Sequence, residues 1–186
     1  MKEIHPNKEL MQSLMDKETL GRRIVEASYL KGNFTLSSGK KSNYLFDKYA
    51  FETQPELLSE IIEHLANMVP KSTTKLAGME IGAIPLATAL SLKSRLPFVI
   101  VRKVKKGHGT KKLVEGRLSA GDEVLIIEDV VTTGEQALRA IETLKQAGAR
   151  VKKVLCVIDR EEGGREHIES KGLVFEPLFT KRSLGI

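Results

Sequence analysis

Tryptophan is absent from this 186-residue chain, and aromatic residues amount to only 5%. Single-stranded nucleic acid is usually held on aromatic platforms interleaved with cations, so the formal charge of +6 is not read as a nucleic-acid surface. Cysteine occurs once, at Cys156, which excludes an internal disulfide; inside the apolar run Val154-Leu155-Cys156-Val157-Ile158 it reads as a buried small hydrophobe. No apolar run approaches membrane-spanning length, and Met1-Lys2-Glu3-Ile4-His5-Pro6 carries no apolar signal region. Internal repeats, low-complexity segments and interdomain linkers are also missing. A single cytoplasmic domain is therefore expected, with no membrane and no nucleic-acid partner. The 41% hydrophobic and 29% charged residues suit an ordinary globular core, and the positive balance favours small anionic ligands.

The most informative stretch runs from Val124 to Gln136. Val124-Leu125-Ile126-Ile127 reads as a strand buried on both faces, as in a parallel sheet. It ends in Glu128-Asp129, then Val130-Val131 and the turn Thr132-Thr133-Gly134. A helix opening at Glu135-Gln136 follows, with Ala137, Leu138, Ile141 and Leu144 inward and Gly148 at its end. Free N–H groups and the helix dipole make such a turn an anion site, and the two threonine hydroxyls add donors. Two carboxylates would repel a phosphate directly. They suit something attached to it, a sugar diol or a divalent cation, and a ribose phosphate satisfies all three parts. The plain alternative is a βα turn with two solvated acids.

Around this stretch, Lys8 to about Lys31 reads as a helix with a break near Asp16; its apolar face runs from Leu10 to Leu30 and Gly32 ends it. The turn Ser37 to Ser42 leads to the strand-like Asn43 to Phe46. Thr53 and Glu56 have capping-box spacing, with Pro55 in the first turn of a helix reaching about Met68. Beyond Pro70 the chain alternates: strand Lys75 to Met79, loop Glu80 to Pro85, helix Leu86 to Ser94, strand Phe98 to Val101, the central motif, and strand Val151 to Ile158. Repeated βα units imply a mostly parallel sheet with helices on both faces and ligands at the carboxyl ends of its strands.

Between two of those strands lies Arg102-Lys103-Val104-Lys105-Lys106-Gly107-His108-Gly109-Thr110-Lys111-Lys112. Judged by charge alone it is a solvated basic loop. Leaving a parallel strand's carboxyl end adjacent to the phosphate strand, it is better read as a lid. Its cations would neutralise a pyrophosphate leaving group, and His108 would donate a proton or hydrogen bond to it.

The central stretch resembles the phosphoribosyl-pyrophosphate (PRPP) motif of type I phosphoribosyltransferases: four hydrophobics, two acids and a Thr-Thr-Gly turn. Four further segments resemble orotate phosphoribosyltransferases in particular. The loop matches at Arg102, Lys103, Lys106, His108 and Gly109, closed by Val114-Glu115-Gly116. Phe34 to Ser42 is similar to the N-terminal signature, and Asp159-Arg160 to the stretch after the last core strand; Gly82 to Ala89 matches the pyrophosphate loop and its helix. The resemblance spans about residues 20 to 175.

It implies a Rossmann-like α/β fold, with a core at about residues 51–160 and a small hood from residues 1–50 plus part of the C-terminal segment. It implies Mg²⁺-dependent transfer of ribose 5-phosphate from PRPP to orotate, giving orotidine 5′-monophosphate and pyrophosphate in pyrimidine biosynthesis. Glu128 and Asp129 would hold the ribose hydroxyls, and Val130 to Gln136 the phosphate end, with Thr132 also near orotate. Arg160 would pair with orotate, a task suited to a forked, permanently charged donor; its alternative is a surface ion pair with Glu161 or Glu162. Leu45 and Phe46 fall where the family packs the base, or are plain core. Mg²⁺ would arrive mainly through PRPP, Asp129 being the one candidate side chain. The family's homodimer implies that Arg102, Lys106 and His108 reach the neighbouring site while Lys103 serves its own; all four are the expected catalytic set. Some bacterial members carry lysine at the positions of Ser37 and Gly82. Here those contacts are absent or come from Lys40, Lys41 or backbone N–H groups. The rival readings are the same fold acting on another base, such as adenine or xanthine, and a non-catalytic PRPP-sensing regulator.

Overall fold

The structure is a computed structural model that describes residues 14–35, 39, 41–103 and 112–186. Its frame is a six-stranded sheet in the order β5-β4-β3-β6-β7-β8. These strands are β3 (Lys75–Met79), β4 (Phe98–Val101), β5 (Val114–Glu115), β6 (Glu123–Val131), β7 (Arg150–Asp159) and β8 (Val174–Thr180). All neighbouring pairs are parallel except β4 with β5. Alternation along the central strands builds both faces of the core. Val124 and Ile126 of β6 join Val154 and Cys156 of β7 on the face covered by α5 (Glu135–Gln146), which contributes Ala137, Ala140, Ile141 and Leu144. Leu125, Ile127, Leu155 and Val157 turn to the other face. There they meet α1 (Lys17–Ser28), α3 (Pro55–Ala66) and α4 (Ala83–Ser94). Burial on both faces explains why β6 and β7 read as unbroken apolar runs rather than alternating ones. Cys156 is fully buried in this core.

A separate antiparallel pair, β1 (Tyr29–Thr35) and β2 (Lys41–Phe46), leads into the short helix α2 (Lys48–Glu52). Near the C-terminus, α6 (Gly164–Glu169) precedes β8, and α7 (Lys181–Leu184) packs back toward α1.

Several expectations are corrected. The N-terminal helix ends at Ser28, not Lys31, and Leu30 and Gly32 lie in β1; Leu30 is exposed rather than inward. Pairing with β2, including the stacked rings of Tyr29 and Tyr44 at 5.2 Å, overrides the helical spacing there. The break near Asp16 is where the described helix begins, since Asp16 Oδ1 accepts the Thr19 N–H at 2.9 Å; residues 8–13 lie outside the described residues. Thr53 forms no capping box. It closes α2, its hydroxyl donating to the Tyr49 carbonyl at 2.7 Å, and α3 starts from Gln54 with Pro55 in its first turn. Helix α4 begins three residues before its expected start, at Ala83. The basic loop leaves β4, which is not beside β6, because β3 lies between them.

Candidate active site

Strand β6 carries its two acids to the carboxyl end of the sheet and buries both, Glu128 at 5% exposure and Asp129 at 3%. Burial, then the charge of Asp129, pushes Glu128 up to about 8. Asp129 keeps a partner instead: its Oδ2 is ion-paired with the ammonium of Lys48, at the start of α2. One helical turn on, Glu52 sits on the same side, 1% exposed, with neither carboxyl oxygen hydrogen-bonded among the described residues. Burial first, and Asp129 second, raise its pKa to about 8. Three carboxyls thus gather around the Lys48 ammonium, and Lys103 also acts on Glu128.

The turn after β6 is built for close approach. Gly134 adopts φ 77°, the left-handed region that favours glycine, and its Cα faces Gly164: a Cβ there would stand 3.0 Å from the Gly164 carbonyl. A Cβ on Gly164 would in turn meet the Thr132 carbonyl at 2.5 Å. The Arg160 N–H bonds the Val131 carbonyl at 2.8 Å, and His167 Nδ1 lies 2.8 Å from the Thr133 carbonyl. With those carbonyls tied back, the N–H groups at the start of α5 remain for an anion. Thr132, Thr133, Glu135 and Gln136 are exposed around this concavity, Val130 is half-buried and Val131 buried. The cleft is lined continuously from Lys48 through Glu128 and Asp129 to Gln136.

Arg160 extends from the end of β7. Its Nη2 donates to the Tyr44 hydroxyl at 3.1 Å and lies 3.4 Å from Glu162, so the ion pair weighed from sequence is present. Its Nε is buried and has no partner among the described residues. Phe46 is half-buried and packs on Phe51, centroids 6.4 Å apart, which makes it core on that side. At the root of the basic loop, Arg102 lies 3.5 Å from Glu80, whose Oε2 accepts the Lys103 N–H at 3.2 Å. Arg102 and Lys103 share a cavity of about 360 Å³ with Gln136 and Arg139. Lys106 and His108 lie outside the described residues, as do Ser37 and Lys40.

Gly82 explains its own lack of a side chain. A Cβ there would stand 1.6 Å from Asp129 Oδ2 and 2.8 Å from Lys48 Nζ. The space that a side chain at residue 82 would fill is taken by the Asp129–Lys48 pair. Lys48, Glu52, Tyr44 and His167 were all missed in the sequence. For Lys48 and Glu52 the available signal was Asp47, a capping residue that accepts the Tyr49 N–H at 3.0 Å, with apolar Phe51 behind it.

An acid pair on a central strand, followed by an anion cradle at a helix start, defines a phosphoribosyl-transfer scaffold, and the family model for the phosphoribosyl transferase domain matches residues 50–180. Curated relatives narrow this. The orotate phosphoribosyltransferase of Methanocella arvoryzae is 53% identical over 82% of this chain and 87% of its own. That of Pyrococcus abyssi is 46% identical over 87% and 91%. The solved Mycobacterium tuberculosis orotate phosphoribosyltransferase in complex with PRPP superposes with TM-score 0.77 at 28% identity, covering 92% of this chain and all 100% of that one. The chain belongs to the orotate phosphoribosyltransferase family.

Proposed function

We propose that the chain transfers ribose 5-phosphate from PRPP to orotate, releasing pyrophosphate and orotidine 5′-monophosphate. The observation that carries this reading is the buried acid pair lining one cleft with the cradle of Thr132 to Gln136. The α5 N–H groups and the Thr132 and Thr133 hydroxyls take the 5′-phosphate. Glu128 and Asp129 accept hydrogen bonds from the ribose hydroxyls, which fixes C1′ below Arg160. The unpartnered Arg160 Nε and its neighbouring Nη then address the orotate carboxylate or a carbonyl, held at the right angle by Tyr44. Thr132 stands beside the base, and Phe46 closes the far wall.

The reaction needs orientation and charge more than covalent help. As the C1′–oxygen bond to pyrophosphate loosens, positive charge develops on the sugar and the orotate nitrogen attacks from the opposite face. Orotate's ring nitrogen is already acidic, so no strong base is required. Arg102, Lys103, Lys106 and His108 neutralise the departing pyrophosphate, and the closed loop excludes water from the reactive sugar. In the proposed homodimer, Arg102, Lys106 and His108 serve the neighbouring site and Lys103 its own. Residues 1–50 with part of the C-terminal segment act as the hood, and about 51–160 as the core.

Among the described residues no three metal-ligating side chains lie together. Glu52 and Glu128, each raised to about 8, are largely protonated at neutral pH and poor metal ligands. The donor set fits Mg²⁺ carried by the oxygens of PRPP, with Asp129 as the one side chain to meet it. Bound there, the ion would supply charge neutralisation to the diphosphate. No helix among the described residues is long and apolar enough to cross a membrane, and a cytoplasmic site of action is proposed.

Pyrophosphate release from purified protein with Mg²⁺ and PRPP, offered orotate, uracil, adenine, hypoxanthine and xanthine separately, tests the reading. Release with orotate alone, with loss of its ultraviolet absorbance, is the expected result. Release with a purine would overturn the roles of Arg160 and Phe46, and silence with every base while PRPP still binds would favour a PRPP-sensing regulator.

A further inference from the structure

We infer that Lys48 is a substrate-binding residue that passes from Asp129 to the diphosphate of PRPP when the ribose occupies Asp129. The inference rests on the phosphoribosyl-transfer reading above and assigns that site a cation that the family resemblance did not predict.

Three observations place it. The Lys48 ammonium lies 2.8 Å from where a Gly82 Cβ would be, so it stands at the start of the twelve-residue helix α4, which Gly82 caps without a side chain. Two helix N-termini therefore flank Asp129, that of α5 on the phosphate side and that of α4 on the other. A ligand with an anion at each end of a sugar fits between them, and Lys48 reinforces only the α4 end. Next, Asp129 already has a partner on each oxygen: Lys48 holds Oδ2 and the Val130 N–H donates to Oδ1 at 2.6 Å, so a sugar hydroxyl that adds to Oδ2 shares its charge and loosens the hold on the ammonium. Finally, Lys48 has somewhere to go. Its side chain is 31% exposed to the cleft, on a stem anchored at the first turn of α2. Burial works against its charge, but Asp129, and after it Glu52 and Tyr49, outweigh burial and keep it an ammonium.

The exchange supplies what residue 82 lacks. With Lys48 and Asp129 as they stand, the space beside Gly82 is filled, and the amine that fills it arrives from α2. When a ribose hydroxyl takes Asp129 Oδ2, the displaced ammonium is left beside two buried acids and next to the incoming diphosphate. A diphosphate oxygen is the stronger partner.

Calorimetric titration of the full chain with Mg²⁺ separates this role from a structural one, using PRPP and ribose 5-phosphate as paired probes. Lys48→Met should weaken PRPP by ~10-fold or more, the loss of a charge-assisted contact, while ribose 5-phosphate changes by less than ~3-fold. Lys48→Arg should restore most of the PRPP affinity. Retained ribose 5-phosphate binding also certifies that the variant is folded. Equal PRPP affinity in wild type and Lys48→Met overturns the inference and leaves the functional reading intact. Parallel loss of both probes also overturns it, since Lys48 would then act only by holding Asp129. Wild-type protein that fails to bind PRPP overturns the inference together with the reading beneath it.

Discussion

Glu52 is a carboxyl placed where ionisation is costly, and Glu52→Gln should make the protein more stable as the pH rises. The side chain is 1% exposed, without a hydrogen-bond partner among the described residues, and Asp129 is close enough to oppose its charge. Its pKa moves from an ordinary 4.5 to about 8. The folded state therefore binds this proton more tightly than the unfolded chain does. The stabilisation is complete below about pH 4.5 and is lost progressively as the pH climbs toward 8. At ~1.36 kcal/mol per unit, the full span corresponds to roughly 3–5 kcal/mol, the lower figure allowing for solvent screening. Glutamine has nearly the same shape and cannot ionise, so the variant escapes this loss. For a chain of this length each kcal/mol is worth about 2–4 °C. Calorimetric melting should thus give similar midpoints for the two proteins near pH 5. Near pH 8.5 the variant should melt ~10 °C higher. Glu128, Asp159 and Cys156, which burial also raises, titrate in both proteins and cancel in the comparison. Midpoints that stay parallel from pH 5 to 8.5 would refute the argument.

Two further outcomes follow from single positions. Arg160→Ala should raise the KM for orotate by ~100-fold, a bidentate ionic contact being worth a few kcal/mol, with PRPP affinity within a few-fold of wild type; an unchanged orotate KM would reduce Arg160 to the partner of Glu162. Cys156 is fully buried and its thiol is pushed well up by burial, so iodoacetamide should label it only as the chain unfolds; labelling under native conditions at the rate of a free thiol would contradict that placement.

The parts of the fold that were legible in the sequence are those set by local pattern. Strands β3, β4, β6 and β7 are each built around a short apolar run, and α5 has a clear start at Gly134-Glu135 and a helical stripe, so its boundaries agree closely with expectation. What escaped depends on partners distant in sequence. Leu30 has helical spacing from Leu20 and Ala27, yet β2 claims it through cross-strand pairing. Thr53 and Glu56 have the spacing of a capping box, but α2 immediately before them already uses Thr53. Within the site, the acid pair, the turn and Arg160 stand in motifs, whereas Lys48 and Glu52 occupy a five-residue helix too short for any periodicity. Their meaning comes only from Asp129, 81 residues beyond Lys48.

That separation bears on why the site is assembled as it is. Asp129 is buried at 3% exposure, and a carboxylate at that depth needs a counter-charge, which Lys48 supplies through their ion pair. Gly82 keeps the space in which Lys48 and Asp129 meet. A side chain at residue 82 would meet the tips of both side chains, and the pair would have to shift. The placement of Asp129 is therefore set jointly by α2, β6 and the start of α4. A substitution in any one of these elements should register in PRPP affinity before it registers in the fold of the other two.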